Sequence, residues 1–187
     1  IISASDISGD GIEDVVIASG NDFITCLNAN SSGIADVLWQ QQIPDGSVYG
    51  QNCLSLLSDI NADGYLDIVA GTCAEDRAIV ALSGKTGQQL WKHEAHTEQP
   101  KVPRHPKSTY ASETPTTDGQ RLYVLFGDLG LYCYDLDGTP LWTREIEPKK
   151  TFFDYGAAAS PVVHDGQVIV VYDNLEGSWI AAFDGRT

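Results

Sequence analysis

Two stretches of this 187-residue chain restate one another at a spacing of 53 residues. Asp6-x-Ser8-x-Asp10-Gly11-x-x-Asp14 returns as Asp59-x-Asn61-x-Asp63-Gly64-x-x-Asp67. In both copies an apolar run follows at once (Val15 to Ala18, Ile68 to Ala70), then a second run (Phe23 to Asn28, Ala78 to Ser83), then a tryptophan (Trp39, Trp91). A third copy runs through Arg121 to Phe126, Leu131 to Asp135 and Trp142, its acidic loop shrunk to Thr117-Asp118-Gly119. A fourth holds Ala159 to Val163, His164-Asp165-Gly166, Gln167 to Tyr172 and Trp179 to Asp184. Trp39, Trp91 and Trp142 are 52 and 51 residues apart, whereas Trp179 falls in an earlier run and is out of register. Self-similarity at this period describes an array of small units that share their apolar surface with neighbours.

Each unit consists of three or four runs of β-branched and aromatic residues, divided by Asp-Gly, Asn-Ala-Asp-Gly or Lys-Thr-Gly clusters that favour turns. Such runs predict short antiparallel strands joined as a meander. The apolar period of helical solenoids is absent from every unit. Four short antiparallel strands recurring at this spacing are the arrangement of propeller blades, so the expected fold is an all-β β-propeller. The spacing predicts blade 1 at about 1–43, blade 2 at about 51–94, blade 3 at about 108–147 and an incomplete blade 4 at about 156–187. A tryptophan near the end of a unit suits an outer strand, where a ring burying ~150–250 Å² wedges against the next blade. The chain holds about three and a half to four blades, too few to close a ring with ease. It is expected to be part of a seven- or eight-bladed propeller, completed by remaining blades or another chain.

Two segments interrupt the units. Lys92 to Thr109 carries Pro100, Pro103, Pro106, His93, His96 and His105, and predicts an inter-blade excursion at about 95–107. His93 and His96 have the wrong spacing for a helical zinc pair, so a solvated loop is expected. Glu147 to Gly156 gathers Lys149, Lys150, Phe152, Phe153 and Tyr155 on a second connection. Connections of this kind carry binding residues, and blade packing accounts for the same aromatics.

Twenty-six acidic residues against eleven basic ones give a formal net charge of −15, which repels nucleic acid and anionic membranes. No apolar run reaches the ~18 residues of a membrane span, and the chain opens on a strand-like pattern without a signal peptide. Cys26, Cys53, Cys73 and Cys133 lack C-x-x-C spacing, which excludes zinc-ribbon, thioredoxin-like and haem-attachment readings. Cys53 and Cys73 admit either a disulfide or two buried thiols.

The acidic loops predict a metal. Oxygen side chains at alternate positions let a tight loop converge on one centre, and a calcium-sized ion takes six to eight oxygens at ~2.3–2.6 Å. The expected ligands are Asp6, Ser8, Asp10 and Asp14 with the Ile12 carbonyl, and Asp59, Asn61, Asp63 and Asp67 with the Tyr65 carbonyl. Water completes each set. An EF-hand is excluded, because its bidentate Glu at the twelfth position and its following helix are absent. Asp, Asn and Gly also favour turns without metal, but matched carboxylates in tandem repel unless neutralised. No spare nucleophile or base stands in the motif, so the expected role of two Ca2+ ions is structural.

These acidic units resemble FG-GAP repeats, the calcium-binding blades of integrin-type propellers. Ala81-Leu82-Ser83-Gly84-Lys85-Thr86-Gly87-Gln88-Gln89-Leu90-Trp91 resembles the blade signature of pyrroloquinoline-quinone-like propellers, repeated at Tyr134 to Trp142 and, truncated, at Ala182 to Thr187. Both resemblances imply a propeller and together cover nearly the whole chain, but neither is specific for an activity. In quinoprotein dehydrogenases the resemblance implies a quinone stacked between a Trp and a vicinal disulfide, beside a calcium ion and an Asp base. This chain has no adjacent cysteines and its acidic loops lie between strands, so pyrroloquinoline quinone (PQQ) is not expected. The leading expectation is a non-catalytic, calcium-stabilised module presenting loops to a protein or glycan ligand. Extracellular calcium near millimolar fills weak loops of this kind, which favours a periplasmic, cell-surface or secreted location. The alternative is a fragment of a quinoprotein-dehydrogenase-like or polysaccharide-active enzyme, drawing on Glu113, Asp154, Tyr155 or His164.

Overall fold

The computed structural model describes residues 1–19, 22–30, 33–43, 53–72, 77–95, 102, 105, 113–156 and 159–187. Four antiparallel sheets follow one another along the chain, each hydrogen-bonded in sequence order. The first holds β1 (Ile2–Ser3), β2 (Val15–Ser19), β3 (Phe23–Leu27) and β4 (Val37–Gln42). The second holds β5 (Cys53–Leu57), β6 (Asp67–Gly71), β7 (Ala78–Leu82) and β8 (Gln89–Glu94). The third holds β9 (Thr116–Thr117), β10 (Arg121–Phe126), β11 (Gly130–Asp135) and β12 (Pro140–Glu145). The fourth has three strands, β13 (Val162–His164), β14 (Gln167–Tyr172) and β15 (Trp179–Asp184). This is the all-β meander architecture of propeller blades.

Burial explains which runs alternate and which do not. β6 and β7 are buried at every position, because Ile68, Ala70, Val80 and Leu82 join a core with the first sheet while Val69, Ile79 and Ala81 join one with the third. A strand packed on both faces has no need of a polar side. Val168 and Val170 of β14 enter a further core with the third sheet, whereas Val171 between them and Tyr172 is exposed. Apolar cores therefore lie between successive sheets, and each sheet is stabilised by its neighbours.

The repeated tryptophans tie those neighbours together. Trp39 donates its indole N–H to the Gly84 carbonyl (2.8 Å), Trp91 to that of Leu136 (3.0 Å) and Trp142 to that of Gly185 (3.2 Å). Each acceptor lies just beyond the third strand of the next sheet. Glycine is required beneath two of the rings: a Cβ on Gly87 (φ +71°) would stand 2.4 Å from Trp39 Cε3, and one on Gly138 (φ +83°) 2.9 Å from Trp91 Cδ2. The Lys-Thr-Gly and Leu-Asp-Gly turns are thus seats for the preceding blade's tryptophan.

Lys92, His93 and Glu94 belong to β8, and the strand's alternation continues through them. His93 packs edge-on against Tyr134, with ring centroids 4.8 Å apart. Cys26 and Cys133 are buried free thiols, while Cys73 and the Cys53 side chain, with the question of their pairing, lie outside the described residues.

Antiparallel order divides the blades into two ends. Loops after the first and third strands of each sheet share one end, which carries the acidic loops and the tryptophan seats. Hairpins between second and third strands share the other with the connections from sheet to sheet.

Candidate functional site

At the acidic end, carboxylates organise their own loops. Asp6 accepts hydrogen bonds from the amides of Gly9 (2.7 Å), Asp10 (3.1 Å) and Gly11 (2.8 Å). Asp14, fully buried, accepts from Ile7 (2.7 Å), Ser8 (2.8 Å) and Ala29 (3.3 Å). In the second loop Asp59 accepts from Asp63 (3.1 Å) and Gly64 (2.8 Å), and the fully buried Asp67 from Ile60 (2.9 Å) and Gly84 (3.1 Å). Asp10 and Asp63 hold the amides of Ile12 and Tyr65. Ser8 donates to Asp6 (3.3 Å), and Asn61 to Asp67 (3.4 Å). Gly11 (φ +88°) and Gly64 (φ +89°) supply the left-handed reversal that each loop needs.

The ten residues expected as ligands are therefore gathered into two matching loops, where the six aspartates and Asn61 cap backbone amides. Among the described residues no three His, Cys, Asp or Glu side chains converge as a metal cluster. The loops differ electrostatically. The Gly11 amide, helped by those of Gly9 and Asp10 against slight desolvation, holds Asp6 below the ordinary carboxylate range. Burial pushes Asp67 up, against the amides of Ile60 and Gly84, and Asp63 and Asp59 add repulsion. Positive charge beside Asp67 would relieve both effects. This second loop also bridges blades: the Leu66 amide donates to Ser5 Oγ (3.1 Å).

At the connection end, the two segments that interrupt the repeats meet. His105 donates its amide to the Asp154 carbonyl (2.8 Å) and stacks on Tyr155, with centroids 4.3 Å apart. The Leu175 amide, from the β14–β15 hairpin, donates to Lys150 O (2.9 Å), and Thr114 N donates to Ser160 Oγ (2.9 Å). Tyr172 Oη receives the Lys149 amide (3.2 Å) and donates to the Gly127 carbonyl (3.0 Å). Phe153 (φ +51°) and Asp154 (φ +56°) occupy the left-handed region, a strain of about 1–3 kcal/mol each for residues with a Cβ. That bend leaves Phe152 and Phe153 67% and 68% exposed, near Leu175 at 60% and Tyr155 at 44%. Phe152, Tyr155 and Leu175 line a cleft of about 440 Å³ with Thr151, Gly156, Ala159, Asp173 and Asn174. Exposed apolar residues are thus clustered on a strained backbone at this end.

The four side chains considered for catalysis are not brought together. His164 lies at the acidic end, 75% exposed and 3.4 Å from Asp165, whereas Asp154 and Tyr155 lie at the connection end and Glu113 is buried before β9. Sequence reasoning missed the ion pair between Arg77 Nη2 and Asp128 Oδ2 (2.8 Å), both side chains being fully buried between the second and third sheets. Neither residue belongs to a motif. The only local mark is Arg77's φ of +44°, which cannot be read from sequence.

Comparison with known proteins agrees with this geometry. The family model described as outer membrane protein assembly factor BamB matches residues 9–184. The fold is similar to BamB from Moraxella catarrhalis (TM-score 0.59, 17% identity), covering 93% of this chain and 46% of that one. It is similar also to BBS1N, solved in complex with ARL6DN (TM-score 0.57, 9% identity, 94% and 48% covered). Sqt1 from Saccharomyces cerevisiae is a third such structure (TM-score 0.54, 17% identity, 92% and 45% covered). The chain thus spans about half the length of the structures it matches. No curated protein matches it in sequence.

Proposed function

Because this chain belongs to the outer membrane protein assembly factor BamB family, we propose that it serves as a protein-binding propeller module whose connection end is the binding face. One observation carries the reading: Phe152, Phe153, Tyr155 and Leu175 are exposed together where connections from two blade junctions converge. The opposite end is occupied with seating tryptophans and capping its own loops. An assembly factor for outer membrane proteins fits an extracytoplasmic site of action, periplasmic or outer-membrane-associated. No helix among the described residues is long and apolar enough to cross a membrane.

The reading includes a larger ring. Val162, Val171 and Ile180 are 57%, 43% and 70% exposed on the outward side of the fourth sheet, the side that is buried in the second and third sheets. A further blade, from this chain or another, covers that face.

It includes calcium as well. Asp59, Asn61, Asp63, Asp67 and the Tyr65 carbonyl hold one structural ion, supported by the burial of Asp67 beside Asp59 and Asp63. Asp6, Ser8, Asp10, Asp14 and the Ile12 carbonyl hold a second more weakly. The ion offsets two of the three negative charges of Asp59, Asp63 and Asp67 and stiffens the loop's bridge to blade 1. Calcium at a hundredfold excess over its Kd should then stabilise the fold by about 2.7 kcal/mol, read as a raised Tm that chelation reverses. An unchanged Tm would remove calcium from the reading.

The binding face is tested by placing a photo-crosslinking phenylalanine analogue at Phe153 or, at the opposite end, at Gln120, and irradiating cells that express the protein. Discrete protein adducts are expected from position 153 alone. Equal adducts at both positions, or none at 153, would refute the assignment.

A further inference from the structure

We infer that the connection-end cleft takes an apolar or aromatic side chain from an extended, basic polypeptide segment. This deepens the protein-binding reading and rests on it. The cleft's volume of about 440 Å³ falls in the ~300–1,000 Å³ range of pockets that bury a ligand group.

Its polar wall is already committed inside the chain. Asn174 gives Nδ2 to the carbonyls of Tyr172 (3.3 Å) and Gly177 (3.1 Å), and its Oδ1 takes the Glu176 amide (2.8 Å). Thr151 Oγ1 takes the Gly156 amide (2.8 Å), and Asp173 takes the Ser178 hydroxyl. A glycan would need open donors and acceptors beside a flat ring. Here His105 covers one face of Tyr155, and Phe152 meets Phe153 at 60°. An apolar side chain needs only the surfaces that Phe152, Tyr155 and Leu175 present. Polypeptide is therefore favoured over sugar.

Charge selects the kind of polypeptide. Among the described residues that line the cleft Asp173 carries a charge, and Glu176 follows Leu175 directly. Lys149 is already bridged to Glu147 (2.6 Å) and Glu176 (3.8 Å). With a net charge of −15 on the whole chain, basic segments are drawn to this rim and acidic ones are repelled.

The test is calorimetric titration of the whole protein with capped Gly-Lys-Leu-Phe-Lys-Gly, a counterpart with Glu for both Lys, a counterpart with Ser for Leu and Phe, and maltohexaose. The basic apolar peptide should bind at least about tenfold more tightly than either counterpart, the difference one buried anchor supplies. Combining Phe152→Ser with Leu175→Ser should lower its affinity at least about tenfold, while Tm stays unchanged because both side chains are exposed. Asp173→Asn, which keeps an acceptor for Ser178, should weaken the salt dependence of binding. Peptide binding that ignores these variants overturns the cleft assignment and leaves the protein-binding reading to the crosslinking result. Equal binding of the acidic peptide, binding of none of the peptides, or displacement by maltohexaose overturns the proposal outright.

Discussion

Replacing Trp39 by phenylalanine should uncouple the first blade from the second. The indole is nearly buried, its N–H lies 2.8 Å from the Gly84 carbonyl, and Gly84 is itself buried. Phenylalanine leaves that carbonyl without its donor, a cost of about 1–3 kcal/mol. The lost ring atoms leave a void under Gly87 that adds about 1 kcal/mol. The total, about 2–4 kcal/mol, should move the urea midpoint by roughly 1–2 M at an ordinary m-value. Trp142→Phe provides the internal scale: its ring is half-buried and its bond is longer, 3.2 Å, so about 1 kcal/mol is expected there. Gly87→Ala attacks the same contact from below, since its Cβ would meet the Trp39 ring at 2.4 Å and its φ of +71° adds about 1–2 kcal/mol. In the double variant the smaller ring relieves the clash, so the combined cost should fall short of the sum of the single costs. Urea unfolding followed by circular dichroism measures all four proteins. A Trp39→Phe midpoint no lower than that of Trp142→Phe, or strict additivity with Gly87→Ala, would refute the docking argument.

Other outcomes follow from the same structure. Arg77→Met leaves Asp128 charged and buried, and should cost about 3–5 kcal/mol by denaturant unfolding, with much of it recovered when Asp128→Leu is added. Burial pushes Cys26 and Cys133 up to about 12 from an ordinary 9.0, so the folded chain keeps both protonated where an unfolded chain releases the protons. Their contribution is complete below pH 9.0 and is lost as pH rises through about 12; urea midpoints should fall across that window, less steeply when both cysteines are alanine. Ile180→Lys places charge on the uncovered face of the fourth sheet, and should lower self-association of residues 1–187 in sedimentation velocity without lowering Tm.

The repeat, the strand runs, the acidic loops and the register of Trp39, Trp91 and Trp142 were legible in the sequence because each is local. Turn chemistry and two-residue alternation act over a few positions, and a matching residue one period later confirms them. The aromatic run at 152–155 could be noticed, but blade packing explained it equally well. Its exposure became decidable only when the left-handed backbone at Phe153 and Asp154 showed where the rings point. The meeting of His105 with Tyr155 joins segments 50 residues apart, and the Arg77–Asp128 pair joins residues 51 apart. Both depend on how one sheet is rotated against the next, and that rotation is set by the summed packing of many side chains between blades. Short-range pattern therefore determined the units of this protein, whereas the contacts between units determined its surface.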